Sequence, residues 1–126
     1  MDPVRNTHVV TQADFDRFAR LSGDDNPIHV DAAFARRTRF GRTLAHGMML
    51  YALVGEHVRR RVVPGGFEVQ AELKFPGPVF AGDELAIEAK IVGIADGRVE
   101  VCATVRRVAD GGVGCEARLL WSLDHG

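Results

Sequence analysis

Cysteine is scarce in this chain: Cys102 and Cys115 are the two present among 126 residues. Two well-separated cysteines give no zinc-binding spacing. An excess of charge of either sign is missing too, since 16 Lys and Arg stand against 17 Asp and Glu for a formal net charge of −1. No global field therefore draws the chain to nucleic acid or to a membrane surface. No apolar run approaches the length needed to span a bilayer, and no apolar leader follows Met1. These absences point to a cytoplasmic protein. Phosphate-cradling glycine loops and dinucleotide fingerprints are also lacking, and Gly65-Gly66 and Gly111-Gly112 read as turns. There are no internal repeats, low-complexity stretches or interdomain linkers.

What is there is the composition of a globular protein, 46% hydrophobic and 26% charged, at a length that allows one core and not two. Residues 1–126 therefore read as one domain. The first half is helical and loop-rich. Thr11 is a candidate N-cap with Asp14 at the third helical position, and Phe15, Phe18 and Ala19 follow at helical spacing. Asp31 is placed to cap a second short helix from Ala32 to about Arg37. From Gly47 to about Arg59 the residues Met48, Met49, Leu50, Tyr51, Ala52, Leu53, Val54 and Val58 leave almost no polar face. A helix apolar nearly all round is a core helix with something wrapped about it.

The second half supplies the wrapping. Phe67, Val69, Ala71, Leu73 and Phe75 alternate with polar residues, as do Leu85, Ile87, Ala89 and Ile91. Val99, Val101, Ala103 and Val105 follow after the Asp96-Gly97 turn. Cys115, Ala117, Leu119 and Trp121 follow after Asp110-Gly111-Gly112. His8 to Val10 can add a fifth strand. A hairpin centred near Asp110-Gly111 sets Cys102 opposite Leu119 and Cys115 opposite Arg106, a register that forms no disulfide. The pattern predicts an α+β fold of one domain: a curled antiparallel sheet wrapped around a central apolar helix, the hotdog architecture. By analogy with that fold, two such sheets join edge to edge in a homodimer, or in a higher oligomer of dimers.

The chemistry is concentrated in Ser22-Gly23-Asp24-Asp25-Asn26-Pro27-Ile28-His29. Asn26-Pro27 cannot continue a helix, so the segment is a shaped turn that can bring Asp24 and His29 to one point. A carboxylate and an imidazole aimed at one water or one C–H bond are the equipment of general acid–base catalysis. The plainer reading is an Asx/Pro turn whose histidine caps something nearby. No third metal ligand is legible beside Asp24 and His29, so no metal is expected.

The stretch from Phe18 to Asp31, followed by Leu44-Ala45-His46-Gly47-Met48-Met49, resembles the MaoC-like (R)-specific enoyl-CoA hydratases, also called hydratase 2, over about residues 15–55. The resemblance implies a hydratase or dehydratase that interconverts trans-2-enoyl and (R)-3-hydroxyacyl thioesters by syn addition or removal of water. The substrate is carried on coenzyme A or acyl carrier protein. No separate cofactor is implied, because coenzyme A belongs to the substrate. Asp24 and His29 match the catalytic pair, with Asp24 as the water-orienting base. Asn26 and Pro27 match the residues that shape the turn, and Gly47 matches the residue whose backbone N–H faces the thioester carbonyl oxygen. Such an N–H at a helix N-terminus suits the enolate-like charge that hydration builds there. The chain departs from the pattern at Gly55, where some members carry a small hydroxyl residue that supports the catalytic carboxylate.

His46 is read as fixing the junction between loop and helix, and His57 as a helix-end histidine. Asp25 is read as solvated and His125 as part of the tail. Phe40, Leu44 and Met49 are candidates to line an acyl pocket. Arg39 and Arg42, with Arg36 and Arg37, are candidates for the phosphates of coenzyme A. Two other functions fit the same fold: an acyl-CoA thioesterase, and a non-catalytic acyl-thioester-binding subunit.

Overall fold

The alternation of the second half becomes a sheet because each strand has one apolar face that must leave water. A computed structural model describes residues 2–123, so His125 lies outside the described residues. Five strands form one antiparallel sheet in the order β1-β3-β4-β5-β2: β1 (Val4–Val9), β2 (Phe67–Lys74), β3 (Glu84–Ala95), β4 (Arg98–Arg107) and β5 (Val113–Ser122). Leu85, Ile87 and Ala89 of β3, Val99, Val101, Ala103 and Val105 of β4, and Cys115, Ala117, Leu119 and Trp121 of β5 are all buried in one core cluster. Helix α4 (Gly47–His57) packs into that face with Met49, Leu50 and Val54, and a π turn over Val58–Val62 continues it. Each fully buried aliphatic chain contributes about 1.5–3 kcal/mol. This is the hotdog architecture that the pattern predicts.

Three short helices precede α4: α1 (Gln12–Ser22), α2 (Pro27–Val30) and α3 (Ala32–Arg36). Thr11 and Asp14 close a capping box on α1, and Gly23 ends that helix at φ 80°, a left-handed conformation that favours glycine. Asp31 caps α3 through Phe34 N–H at 3.0 Å. The buried His57 donates from Nε2 to the Val4 carbonyl at 2.8 Å and so ties β1 to α4.

The structure corrects three expectations. Cys102 pairs with Arg118 and Cys115 with Val105, one position away from the expected register. The cause is an irregularity at Gly114, which is skipped between the Val105–Cys115 and Arg106–Val113 pairs. Both thiols are free, and burial pushes that of Cys115 up to about 11. The alternation of β2 also breaks. A register shift between Glu68 and Gln70 leaves Phe67 and Val69 exposed, while Glu68, paired with Trp121, accepts a hydrogen bond from Tyr51 of α4. Finally, α4 is not covered all round by its own chain, because Met48, Ala52 and Glu56 are exposed and Tyr51 and Gly55 are half-buried.

The bulge at Gly114 is a packing requirement. A Cβ there would lie 2.5 Å from Val79 Cγ2 and 3.1 Å from Leu50 Cδ1. Gly114→Ala should therefore cost about 1–3 kcal/mol of stability, read as a lower midpoint in urea unfolding. An unchanged midpoint would contradict this packing.

Candidate active site

The site forms where the end of α1 and the approach to α4 cross. After the left-handed Gly23, Ser22 Oγ accepts from Asp24 N–H at 3.1 Å and donates to the Phe18 carbonyl at 2.7 Å. Asn26 Oδ1 accepts from Ile28 N–H at 3.1 Å, and Pro27 occupies the first turn of α2, where its missing N–H costs nothing. These two residues hold the turn from inside. His29 is the third residue of α2 and its side chain is 15% exposed, against 55% for Asp24.

Two backbone carbonyls fix the imidazoles. His29 Nδ1 lies 2.8 Å from the Leu44 carbonyl oxygen, and His46 Nε2 lies 2.9 Å from the Asp24 carbonyl oxygen. A carbonyl only accepts, so each of these nitrogens carries a proton. The neutral His29 ring therefore bears its lone pair on Nε2, which faces Asp24 Oδ2 at 3.9 Å. That gap is too long for a direct hydrogen bond and is of the length that a bridging water spans. The second carboxylate oxygen, Oδ1, accepts from Asn26 N–H over 3.4 Å.

His46 does more than fix the junction. Its ring stacks on His29 with centroids 3.8 Å apart, and Phe18 covers it at 4.8 Å. Burial lowers its pKa below 6.5, outweighing the hydrogen bond to the Asp24 carbonyl, and the charge of His29 lowers it further. Its Nδ1 is buried and has no hydrogen-bond partner among the described residues. His46, which the sequence marked as a supporting residue at the junction, thus completes a group with Asp24 and His29 whose donor atoms all lie within 4.8 Å of one another. Tetrahedral zinc sets its ligand atoms about 3.3 Å apart, so a metal would have to draw this group inward.

Gln12 went unseen in the sequence. Its Nε2 donates to the His29 carbonyl at 2.8 Å and to Asp16 Oδ1 at 3.0 Å, while its Oε1 accepts from the buried Thr43 hydroxyl at 2.6 Å. A single side chain thereby joins α1, α2 and the approach to α4. No local motif marks such a residue, because its partners are remote in sequence.

Gly47 opens α4 behind His46, which provides no side-chain cap, so the first N–H groups are left for another acceptor. Phe75 lies so close that a Cβ on Gly47 would sit 3.1 Å from its ring carbons. A cavity of about 290 Å³ starts there, lined by Arg39, Phe40, Leu44, Gly47, Leu50 and Phe75, with the Pro76–Val79 segment and Gly114 behind. Phe40, Leu44 and Arg39 therefore share one cavity with Gly47. Met49 does not. It is buried and faces a separate hollow of about 270 Å³ with Val10, Phe18 and Leu53. Arg42 stands outside the cavity wall, over the ring of Phe80. A Cβ built on Gly55 meets nothing within 4 Å, so no side chain from that position supports Asp24.

A curled sheet around one helix, with a carboxylate and an imidazole held against the histidine that precedes that helix, defines a hotdog protein equipped for acid–base chemistry. The sequence matches the family described as "MaoC like domain" over residues 2–113, and the chain belongs to that family. It is 35% identical over 96 residues to an (R)-specific enoyl-CoA hydratase of Aeromonas caviae, covering 75% of this chain and 72% of that protein. It is 34% identical over 84 residues to a mitochondrial 3-hydroxyacyl-[acyl-carrier-protein] dehydratase of Arabidopsis thaliana, of whose length it spans half. The solved structure of the A. caviae (R)-hydratase superposes with a TM-score of 0.92 at 27% identity, over 98% of this chain and 95% of that one.

The lowered pKa of His46 sets a sign for stability against pH. The unfolded chain takes up a proton near pH 6.5 and the folded chain only lower, so stability is full above 6.5 and falls as the pH drops below it. Thermal melts should show this decline, and His46→Gln, which keeps a donor for the Asp24 carbonyl, should flatten it. An equal slope in both proteins would contradict the assignment.

Proposed function

We propose that the chain is a hydratase/dehydratase that interconverts trans-2-enoyl and (R)-3-hydroxyacyl thioesters, with Asp24 and His29 as its catalytic pair. The observation that carries this reading is the 3.9 Å gap between Asp24 Oδ2 and the lone-pair nitrogen of His29. A water held there donates to both. In the hydration direction its oxygen bonds to C3 of the enoyl group as one of its protons passes to the pair, with Asp24 as the water-orienting base. The C2=C3 electron pair moves toward the thioester carbonyl, and the charge gathering on that oxygen meets the open N–H of Gly47. The pair returns a proton to C2, so the water ends as a hydroxyl on C3 and a hydrogen on C2. His29 Nε2 suits this delivery because its partner nitrogen is held by Leu44. Asn26 and Pro27 shape the turn, and His46, held neutral, buttresses the ring that carries the proton.

Phe40 and Leu44 bound the cavity on the acyl side, Met49 belongs to the core behind it, and the substrate is an acyl thioester of coenzyme A or acyl carrier protein. Hydration exchanges only water and protons, so the reading needs neither a metal nor a redox cofactor. The Asp24–His29–His46 donor group is the observation that favours a metal instead, and assay after exhaustive chelation separates the two: an undiminished rate supports proton transfer. No helix among the described residues is long and apolar enough to cross a membrane. We place the protein in the cytoplasm, as one domain over residues 1–126.

The reading extends to a homodimer. Strand β2 lies at an edge of the sheet, with Phe67 and Val69 exposed at 48% and 45%, and Met48 of α4 is 53% exposed. The Gly47–Phe75 and Tyr51–Glu68 contacts hold α4 beside β2 and the residue that follows it. A second copy pairing there removes both the unpaired edge and the bare stripe of α4. Val69→Lys should shift the protein to monomer in sedimentation velocity, and a monomeric wild type would contradict the assembly.

Crotonyl-CoA tests the activity. The protein should remove enoyl absorbance without releasing thiol, and Asp24→Asn or His29→Ala should lower the rate about 10²–10⁴-fold while leaving the fold intact by circular dichroism. Released thiol would indicate hydrolysis, and near-normal rates in both variants would remove the catalytic pair.

A further inference from the structure

His29 is held at two places, one on its ring and one on its backbone. Its Nδ1 donates to the Leu44 carbonyl at 2.8 Å, and its own carbonyl accepts from Gln12 Nε2 at 2.8 Å. Thr43, the residue before Leu44, donates its hydroxyl to Gln12 Oε1 at 2.6 Å. These bonds close a circuit: from the His29 ring to Leu44, along the chain to Thr43, across to Gln12, and back to the His29 carbonyl. A backbone link runs beside it, from Leu44 N–H to the Ile28 carbonyl at 3.0 Å.

Helix α2 needs such a brace. It is four residues long, and a single turn does not hold its own shape in water. The last carbonyls of a helix have no partner inside it, and that of His29 is met from outside by Gln12. Gln12 is a firm point of attachment. It is the first residue of α1, an 11-residue helix closed at its start by the Thr11–Asp14 capping box and seated by the buried Phe15 and Ala19. The other end of α1 runs through Gly23 into Asp24. One helix thus carries Asp24 from its C-terminal end and restrains His29 from its N-terminal end.

The direction of the amide is also fixed. Its Nε2 donates a second time, to Asp16 Oδ1 at 3.0 Å, one turn along α1. Turned over, the amide would set its oxygen against the Asp16 carboxylate and the His29 carbonyl, both of them acceptors. Thr43 is buried, so loss of Gln12 leaves its hydroxyl short of an acceptor. Leu44 lines the cavity that opens at Gly47, and the circuit therefore registers His29 against that wall. Asp24, by contrast, is 55% exposed, and its carboxylate takes one long bond of 3.4 Å from Asn26 N–H. Precise placement of the pair rests chiefly on His29.

We infer that Gln12 is a positioning residue for the reaction. Through the His29 carbonyl and Thr43 it sets where His29 Nε2 stands relative to Asp24 and to the cavity at Gly47. This rests on the hydratase reading above and adds to it a residue whose side chain is spent on protein partners. A misplacement of about 1 Å costs a reaction on the order of 10²-fold, so the effect belongs in kcat.

Gln12→Met keeps the length and helix propensity of the side chain and removes the amide. With crotonyl-CoA it should lower kcat about 10–10²-fold per folded molecule, the folded fraction being read from thermal melts, and leave KM within about 2-fold. Thr43→Val should act in the same way, and Thr43→Ser should restore most of that loss. The double variant Gln12→Met with Thr43→Val should fall no further than the lower single, because both cut one circuit. A raised KM at unchanged kcat, or losses that multiply in the double variant, would overturn the inference. Nitrogen NMR of the neutral His29 imidazole supplies a readout free of catalysis. Wild type should show the Nδ1–H tautomer alone, and Gln12→Met a mixture of the two. An unchanged tautomer would overturn the positioning role whatever the rates. If wild type hydrates no enoyl thioester while Gln12→Met still shifts the tautomer, the hydration reading fails and the hold of Gln12 on His29 stands. Should Gln12→Met fail to fold, Thr43→Val against Thr43→Ser carries the same comparisons of rate and tautomer.

Discussion

Two imidazole N–H groups, each spent on a backbone carbonyl of the other's segment, are the constraint on which the site depends. His29 on α2 reaches across to Leu44, and His46 in front of α4 reaches back to Asp24. This reciprocal tie locks the turn after α1 to the entrance of the core helix. It also fixes both tautomers, and so decides which nitrogen of His29 faces the carboxylate. The core beneath makes the tie possible: α4 is seated by Met49, Leu50 and Val54 against the sheet, so its first turn is a rigid reference for the motif above it.

The polar groups of the site follow from that tie. Gln12 and Thr43 extend it sideways, and Phe18 closes it on the outer side of His46. Holding His46 neutral lets two imidazoles stack without two positive charges meeting. The exposure of Asp24 keeps its carboxylate within reach of water and ligand, while the Asn26 N–H rather than a side chain at Gly55 orients it.

Much of this was legible in the sequence. The period-two alternation named the inward residues of β3, β4 and β5, and Thr11, Asp14, Asn26, Pro27 and Asp31 marked the local turns and caps, because each acts on neighbours a few residues away. The convergence of Asp24 and His29 followed from a proline turn too short to separate them. What escaped was non-local. The bulges at Gly114 and in β2 depend on packing against Val79 and on pairing with β5, and they moved the cysteine register and turned Glu68 toward Tyr51. The role of Gln12 and the stacking of His46 both require elements far apart in the chain to meet. The apolar wrap of α4 was read as nearly complete, whereas this chain covers only part of it.

The central claim is that one carboxylate and one imidazole act from the same side on one water. Its most direct measurement is hydration of crotonyl-CoA in deuterium oxide, with the product resolved by chiral chromatography and proton NMR. The account predicts (3R)-hydroxybutyryl-CoA with a single deuterium at C2, on the same side as the new hydroxyl. Deuterium on the opposite side, or scrambled between both, would contradict it.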